Sequence, residues 1–143
     1  MSSIKSMLPA QFNFRCEIPV RITDINYGNH VGNDSILTLV HEARVQFLAS
    51  KGYTEMNLEG TSLILTKASL ELRKELYYGD KLFASVAAGN FTTKGFELFY
   101  KLEKTTEKGT ELVAAVITSM VCFDYVNKKM VGLPEKAAQQ LSF

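Results

Sequence analysis

The sequence predicts an α+β domain in which one antiparallel sheet wraps around one long helix. Three observations predict it: the chain opens on a stretch of period two, continues in one long stretch of helical period, and closes on four strand-like stretches joined by short turns. Short turns imply antiparallel neighbours, and a run of strands without alternating helices points away from a parallel βαβ sheet. The 143 residues fit a single domain over 1–143, without internal repeat or low-complexity linker. A chain of this size buries enough surface to need neither disulfides nor metal for stability.

Each element has its own signal. Phe12, Phe14, Cys16, Ile18, Val20 and Ile22 alternate with Asn13, Arg15, Glu17 and Arg21, which predicts a half-buried strand over 12–22. Pro19 lacks an N–H and places that strand at a sheet edge or a bulge. Residues 23–33 are crowded with Asp, Asn and Gly and read as a loop. Asn33, Asp34 or Ser35 can cap the helix expected over 35–51, and Gly52 stops it. Ile36, Leu39, Val40, Ala43 and Phe47 form its apolar stripe, widened by Leu37 and Leu48, while Ser35, Thr38, Glu42 and Gln46 form a polar line.

Strands follow over 62–73, with Ile64, Ala68, Leu70 and Leu72 on one parity, and over 82–91. In the next strand Phe96, Leu98, Tyr100 and Leu102 alternate with charged residues. The stretch 112–123 is apolar on both parities, as expected of a strand in the middle of a sheet. Turns are expected at residues 78–81, 107–109 and 127–129. Leu133, Pro134 and Glu135 open a short terminal helix, with proline near its first position.

Hydrophobic residues at 46% and charged residues at 22% match a soluble globular protein. The net charge of +1 gives no field that would draw in nucleic acid, so no nucleic-acid partner is expected. No run of 18 apolar residues is present, so no membrane helix is expected, and the first residues lack the apolar core of a secretory signal. Cys16 and Cys122 make no disulfide framework, which favours a reducing, cytoplasmic location. With His30 and His41 they show no metal-ligand spacing. Nucleophile-elbow, P-loop and dinucleotide-binding motifs are absent from the sequence.

The segment with chemical promise joins the first strand to the helix. Asp24, Asn26, Asn29, His30, Asn33 and Asp34 crowd into it. The free N–H groups at a helix start can polarise a carbonyl and hold an oxyanion. The run Asp24-Ile25-Asn26-Tyr27-Gly28-Asn29-His30-Val31-Gly32-Asn33, with Glu42-Ala43-Arg44 after it, resembles the signature of hotdog-fold acyl-CoA thioesterases. It is nearest the branch of proteins like 4-hydroxybenzoyl-CoA thioesterase and acyl-ACP thioesterase, where members read D-x-D-x-x-G-H-V-N-N with E-A-R nine residues later. Asp24, His30, Val31, Asn33, Glu42, Ala43 and Arg44 match without a gap.

The resemblance implies a hotdog fold, a five-stranded antiparallel sheet around a central helix, assembled as a homodimer or homotetramer. It implies hydrolysis of an acyl-CoA or acyl-ACP thioester to a free acid and a thiol. No metal or redox cofactor is implied, coenzyme A entering only as part of the substrate. The carbonyl would meet backbone N–H groups near Val31, Gly32 and Asn33, and a carboxylate would activate water. Asn26 departs from the pattern, because it stands where relatives carry a second Asp and an amide is no base at neutral pH.

The acid is then Glu42 or Asp24, with Glu42 favoured and Asn26 positioning water or thioester. His30 is a further acid–base candidate, while His41 matches nothing in the signature and reads as structural. Two rival functions follow from the same loop. An enoyl-thioester hydratase shares the start Asp24-Ile25-Asn26 of its D-x-N-P-x-H motif but would need the histidine one position earlier and a proline. A module that binds an acyl thioester without cleaving it would explain Asn26 directly.

Overall fold

The computed structural model describes residues 3–142 and contains six strands, Phe14–Ile18 (β1), Ser62–Leu72 (β2), Leu82–Gly89 (β3), Gly95–Thr106 (β4), Gly109–Asp124 (β5) and Lys129–Met130 (β6). Three helices accompany them: Ile4–Met7 (α1), Asn33–Ser50 (α2) and Glu135–Leu141 (α3). The sheet is antiparallel in the order β1-β3-β4-β5-β2, and the two-residue β6 pairs with the end of β5. Five strands curled around one long helix is the architecture that the sequence predicts.

The helix α2 forms where apolar residues recur every three or four positions. Ile36, Leu39, Val40, Ala43, Phe47 and Leu48 are all buried and join the core made by the inward residues of the sheet. Leu37 does not widen the stripe; it is 39% exposed. The helix begins two residues earlier than expected, and none of the three polar candidates caps it: the N-cap is Gly32, with no side-chain cap. Its end follows the sequence reading, because Gly52 (φ +83°) adopts the left-handed conformation and donates to Ala49, while Tyr53 donates to Leu48, closing a Schellman motif.

Two strands depart from the pattern read in the sequence. β1 ends at Ile18 because Pro19 can donate nothing to β3, and the chain turns away into a 3₁₀ turn at Ile22–Asp24. Ile22 is therefore 68% exposed and not an inward residue. In β2 the register shifts between Leu65 and Lys67. Before this bulge Leu63 and Leu65 pair with the inward Cys122 and Met120; after it Ala68, Leu70 and Leu72 do the same with Thr118, Val116 and Ala114. Ile64 falls on the opposite face from Ala68, since one extra residue reverses a period of two.

β5 is apolar on both faces for a reason outside itself. Its inward residues meet the core, and α1 packs on the other side against β5 and β2, with Ile4 and Met7 beside Ile117. The Glu71 carboxylate on β2 accepts the Ile4 N–H at 2.7 Å and holds α1 there. At Gly95 a Cβ would lie 2.0 Å from the Met120 carbonyl oxygen, so only glycine lets β4 start so close to β5.

Candidate active site

The loop leading to α2 is held by its own polar groups. The Asp24 side chain is 3% exposed, and its carboxylate accepts the Arg21 backbone N–H at 2.8 Å and the Arg21 guanidinium at 2.9 Å. Burial alone would raise its pKa, but hydrogen bonds and charge from Arg21 outweigh it and hold the carboxyl below its ordinary value. Asn26 accepts the Gly28 N–H on Oδ1 at 2.8 Å and donates its backbone N–H to the His30 carbonyl at 2.9 Å. Asn29 takes a positive φ of 66°, which asparagine tolerates. His30 Nδ1 lies 3.1 Å from the Val31 carbonyl oxygen.

The backbone donors expected to hold an oxyanion divide into two groups. The Val31 N–H donates to Leu76 at 2.7 Å, and the Gly32 N–H to Asp24 at 3.2 Å. Both are consumed by the fold. The N–H groups of Asn33 and Asp34, the first two of α2, meet no acceptor among the described residues, as Gly32 supplies no capping side chain. Asn33 borders a cleft of about 260 Å³ together with His30, Arg73 and Lys74.

A larger cleft of about 450 Å³ lies further along α2, between that helix and the end of β1. Thr38, His41, Glu42 and Gln46 line it from α2, facing Ile18 and Arg21. Glu42 is exposed to it, and Glu42 Oε2 accepts the Gln46 amide at 2.7 Å. Burial first, and the Glu42 charge second, push the Cys16 thiol up to about 11, so this cysteine is a neutral thiol and no nucleophile. Glu42 stands nine residues beyond Asn33, about 13 Å along the helix axis at 1.5 Å per residue. Within one chain no single carbonyl can reach both groups.

Arg44, matched in sequence as part of E-A-R, points away from Glu42. Its side chain is 7% exposed; its Nε donates to Glu55 Oε1 at 3.2 Å and its Nη1 to the Tyr100 hydroxyl at 3.3 Å. Tyr100 in turn lies 2.8 Å from Thr118 Oγ1. The same Glu55 oxygen is 2.8 Å from His41 Nε2. Glu55 is absent from the sequence reading, and Arg21 and Tyr100 enter it only as strand residues, not as partners of the site. A buried position for Arg44, on the stripe with Val40, Ala43 and Phe47, was the available signal, because a buried guanidinium demands partners.

The profile of the thioesterase-like superfamily matches residues 20–141, and the chain belongs to that superfamily. No curated protein matches it in sequence. Among solved structures it is similar to a 1,4-dihydroxy-2-naphthoyl-CoA thioesterase from Synechocystis, at 23% identity over 90% of this chain and 94% of that one, with a TM-score of 0.78. A mutant 4-hydroxybenzoyl-CoA thioesterase solved with 4-hydroxybenzoyl-CoA is 14% identical over 90% and 98%, TM-score 0.81. A thioesterase from Thermus thermophilus solved with coenzyme A and zinc is 17% identical over 92% and 98%, TM-score 0.75.

These likenesses establish the hotdog fold, and membership of the superfamily makes the protein a thioester hydrolase. Among the described residues no group of three His, Cys, Asp or Glu side chains is placed to hold a metal ion. No helix among them is long and apolar enough to cross a membrane.

Proposed function

We propose that the protein hydrolyses an acyl-coenzyme A thioester, that Glu42 activates the attacking water, and that the N–H of Asn33 on a partner subunit holds the carbonyl oxygen. One observation carries the choice of base: the Asp24 carboxylate is buried against Arg21, whereas the Glu42 carboxylate opens on the larger cleft. Glu42 takes a proton from water as its oxygen attacks the carbonyl carbon, and the negative charge gathered on the carbonyl oxygen is met by the N–H at the start of α2. Collapse of the adduct expels the thiol. Asn26 and His30 shape the loop that aims the helix start. No metal or redox cofactor is needed for this chemistry.

A two-fold partner resolves the 13 Å separation. β2 is an edge strand with its outer backbone groups unpaired by the sheet, and it exposes Leu65 and Leu72. Antiparallel pairing of β2 with a second copy would set two α2 helices antiparallel, bringing Asn33 of one copy toward the partner subunit's Glu42. The assembly is then a homodimer, alone or doubled into a tetramer. Coenzyme A is favoured over acyl carrier protein because two similar proteins were solved with coenzyme A or its thioester. The two free cysteines suit a reducing, cytoplasmic setting.

Thiol release from short, medium, long and aromatic acyl-CoAs and from acyl-ACP tests the reaction, and saturable release from at least one acyl-CoA is expected. The shared site is tested with Glu42→Gln and Asn33→Pro. Proline fits the first helical position, and Gly32 already has the extended ψ of 156° that a residue before proline prefers. Each variant alone should be nearly inactive, and co-expressed chains should regain activity through mixed dimers with one intact site. An absence of recovery in proven mixed dimers would sink the two-subunit site. Acyl-CoA binding without release on any substrate would overturn hydrolysis in favour of a binding module.

A further inference from the structure

We infer that His41 is the general acid of thioester cleavage, protonating the departing sulfur, and that Glu55 positions it; this rests on hydrolysis in the Glu42 cleft as proposed above. The imidazole lines that cleft next to Glu42. Its Nε2 is held 2.8 Å from Glu55 Oε1, and Nδ1 has no partner among the described residues. Beneath it the polar groups form one row from core to cleft. Thr118 meets the buried Tyr100, Tyr100 meets Arg44, Arg44 meets Glu55, and Glu55 meets His41. Each member is fixed by the one below, so the ring is oriented from the core although it stands at the surface.

A histidine that merely ties the following loop to α2 would be redundant here. The charge of Glu55 is already met by Arg44. The loop is also anchored without His41, because the Leu63 N–H donates to the Glu55 carbonyl at 2.6 Å, the Tyr53 hydroxyl to Glu59 at 2.6 Å, and the Ser62 hydroxyl to the Met56 carbonyl at 3.0 Å. What the imidazole adds is one held nitrogen and one open one. Position supports the same role. His41 and Val45 also border a second, largely apolar groove of about 340 Å³ with Ala49, Tyr53 and Met56. His41 thus sits where the cleft that carries Thr38, Glu42 and Gln46 meets a more apolar groove, so that one end of an acyl thioester's carbonyl–sulfur junction can face each.

Atoms and protons balance in this step. Water oxygen bonds to the acyl carbon while Glu42 takes a proton from water; the carbon–sulfur bond breaks with its electron pair on sulfur, and Nδ1 of imidazolium gives sulfur its proton. The products are acid and thiol, and the proton on Glu42 returns to the imidazole through solvent. The charged groups around His41 are Glu42 and Arg44 on its own helix, Glu55 on the following loop, and Arg21 with Asp24 across the cleft.

The test is His41→Gln, whose amide still donates to Glu55, compared with wild type on an alkyl acyl-CoA and on the S-aryl thioester of the same acyl group. An aryl thiolate leaves without help. The expected result is a loss of about 10²-fold in kcat on the alkyl thioester, a much smaller loss on the aryl one, and an unchanged melting temperature. Glu55→Gln should show the same leaving-group pattern more weakly, and it serves should the first variant not fold. Equal losses on both thioesters, or wild-type behaviour throughout, would overturn the role of His41. Failure of the hydrolysis reading itself would show instead as wild type without turnover on any acyl-CoA.

Discussion

The loop before α2 and the middle of α2 both carry carboxylates, amides and histidine, yet they use them in opposite ways. In the loop Asp24 is spent on Arg21, the Asn26 amide on Gly28, and the Val31 and Gly32 N–H groups on Leu76 and Asp24. Along the helix Glu42 keeps its carboxylate at a cleft, and His41 keeps one nitrogen open. The loop therefore spends its polar groups on holding the helix start in place, while the helix middle leaves Glu42 and His41 facing a cleft. In the reaction proposed above, the loop half of the signature is the scaffold and the helix half carries the reactive side chains.

The largest expected effect separates the two regions directly. Glu42→Gln should lower kcat by about 10²-fold or more with no loss of melting temperature, since its side chain is exposed. Asp24→Asn should keep most of the turnover. Thiol-release kinetics on both variants decide the matter, and the reverse pattern would exchange the roles of loop and helix. Next in size is Arg44→Ala, which leaves Glu55 and the buried Tyr100 hydroxyl without their guanidinium and should cost about 3 kcal/mol of stability. Urea denaturation reads that cost, and a change below about 1 kcal/mol by the same measure would show the row under His41 to be slack.

Asp24→Asn should cost less, about 1 kcal/mol, because Arg21 is 55% exposed and solvent screens the pair. Its pH dependence has a defined sign. The folded carboxyl titrates below its unfolded value, so the stabilisation is present above the ordinary carboxylate range and is lost as pH falls through the folded pKa. Wild type should thus lose more stability on acidification than Asp24→Asn does, measured by melting temperature across the acid range. The smallest effect is expected for Asn26→Asp. A carboxylate can accept the Gly28 N–H as the amide does, so stability should change by no more than about 0.5 kcal/mol. Its kcat should move far less than that of Glu42→Gln; a large rise would return the base to the loop.

Much of the molecule was determined by sequence alone, because periodicity reports which side of an element meets the core. The stripe of α2 from Ile36 to Leu48, the stop at Gly52, the turns between strands and the motif carried by Asp24, His30, Asn33 and Glu42 needed no coordinates. Tertiary structure decided what periodicity cannot express. Pro19 ends β1 and turns Ile22 outward, and the bulge after Leu65 moves Ile64 to the other face. Arg21 captures Asp24, and Glu55, eleven residues beyond Arg44, joins that arginine to His41. Tyr100 reaches Arg44 across 56 residues of chain. A residue's type fixes which hydrogen bonds and charges it can offer, but whether they are spent within the fold or left for a substrate depends on neighbours that only folding brings within about 3 Å.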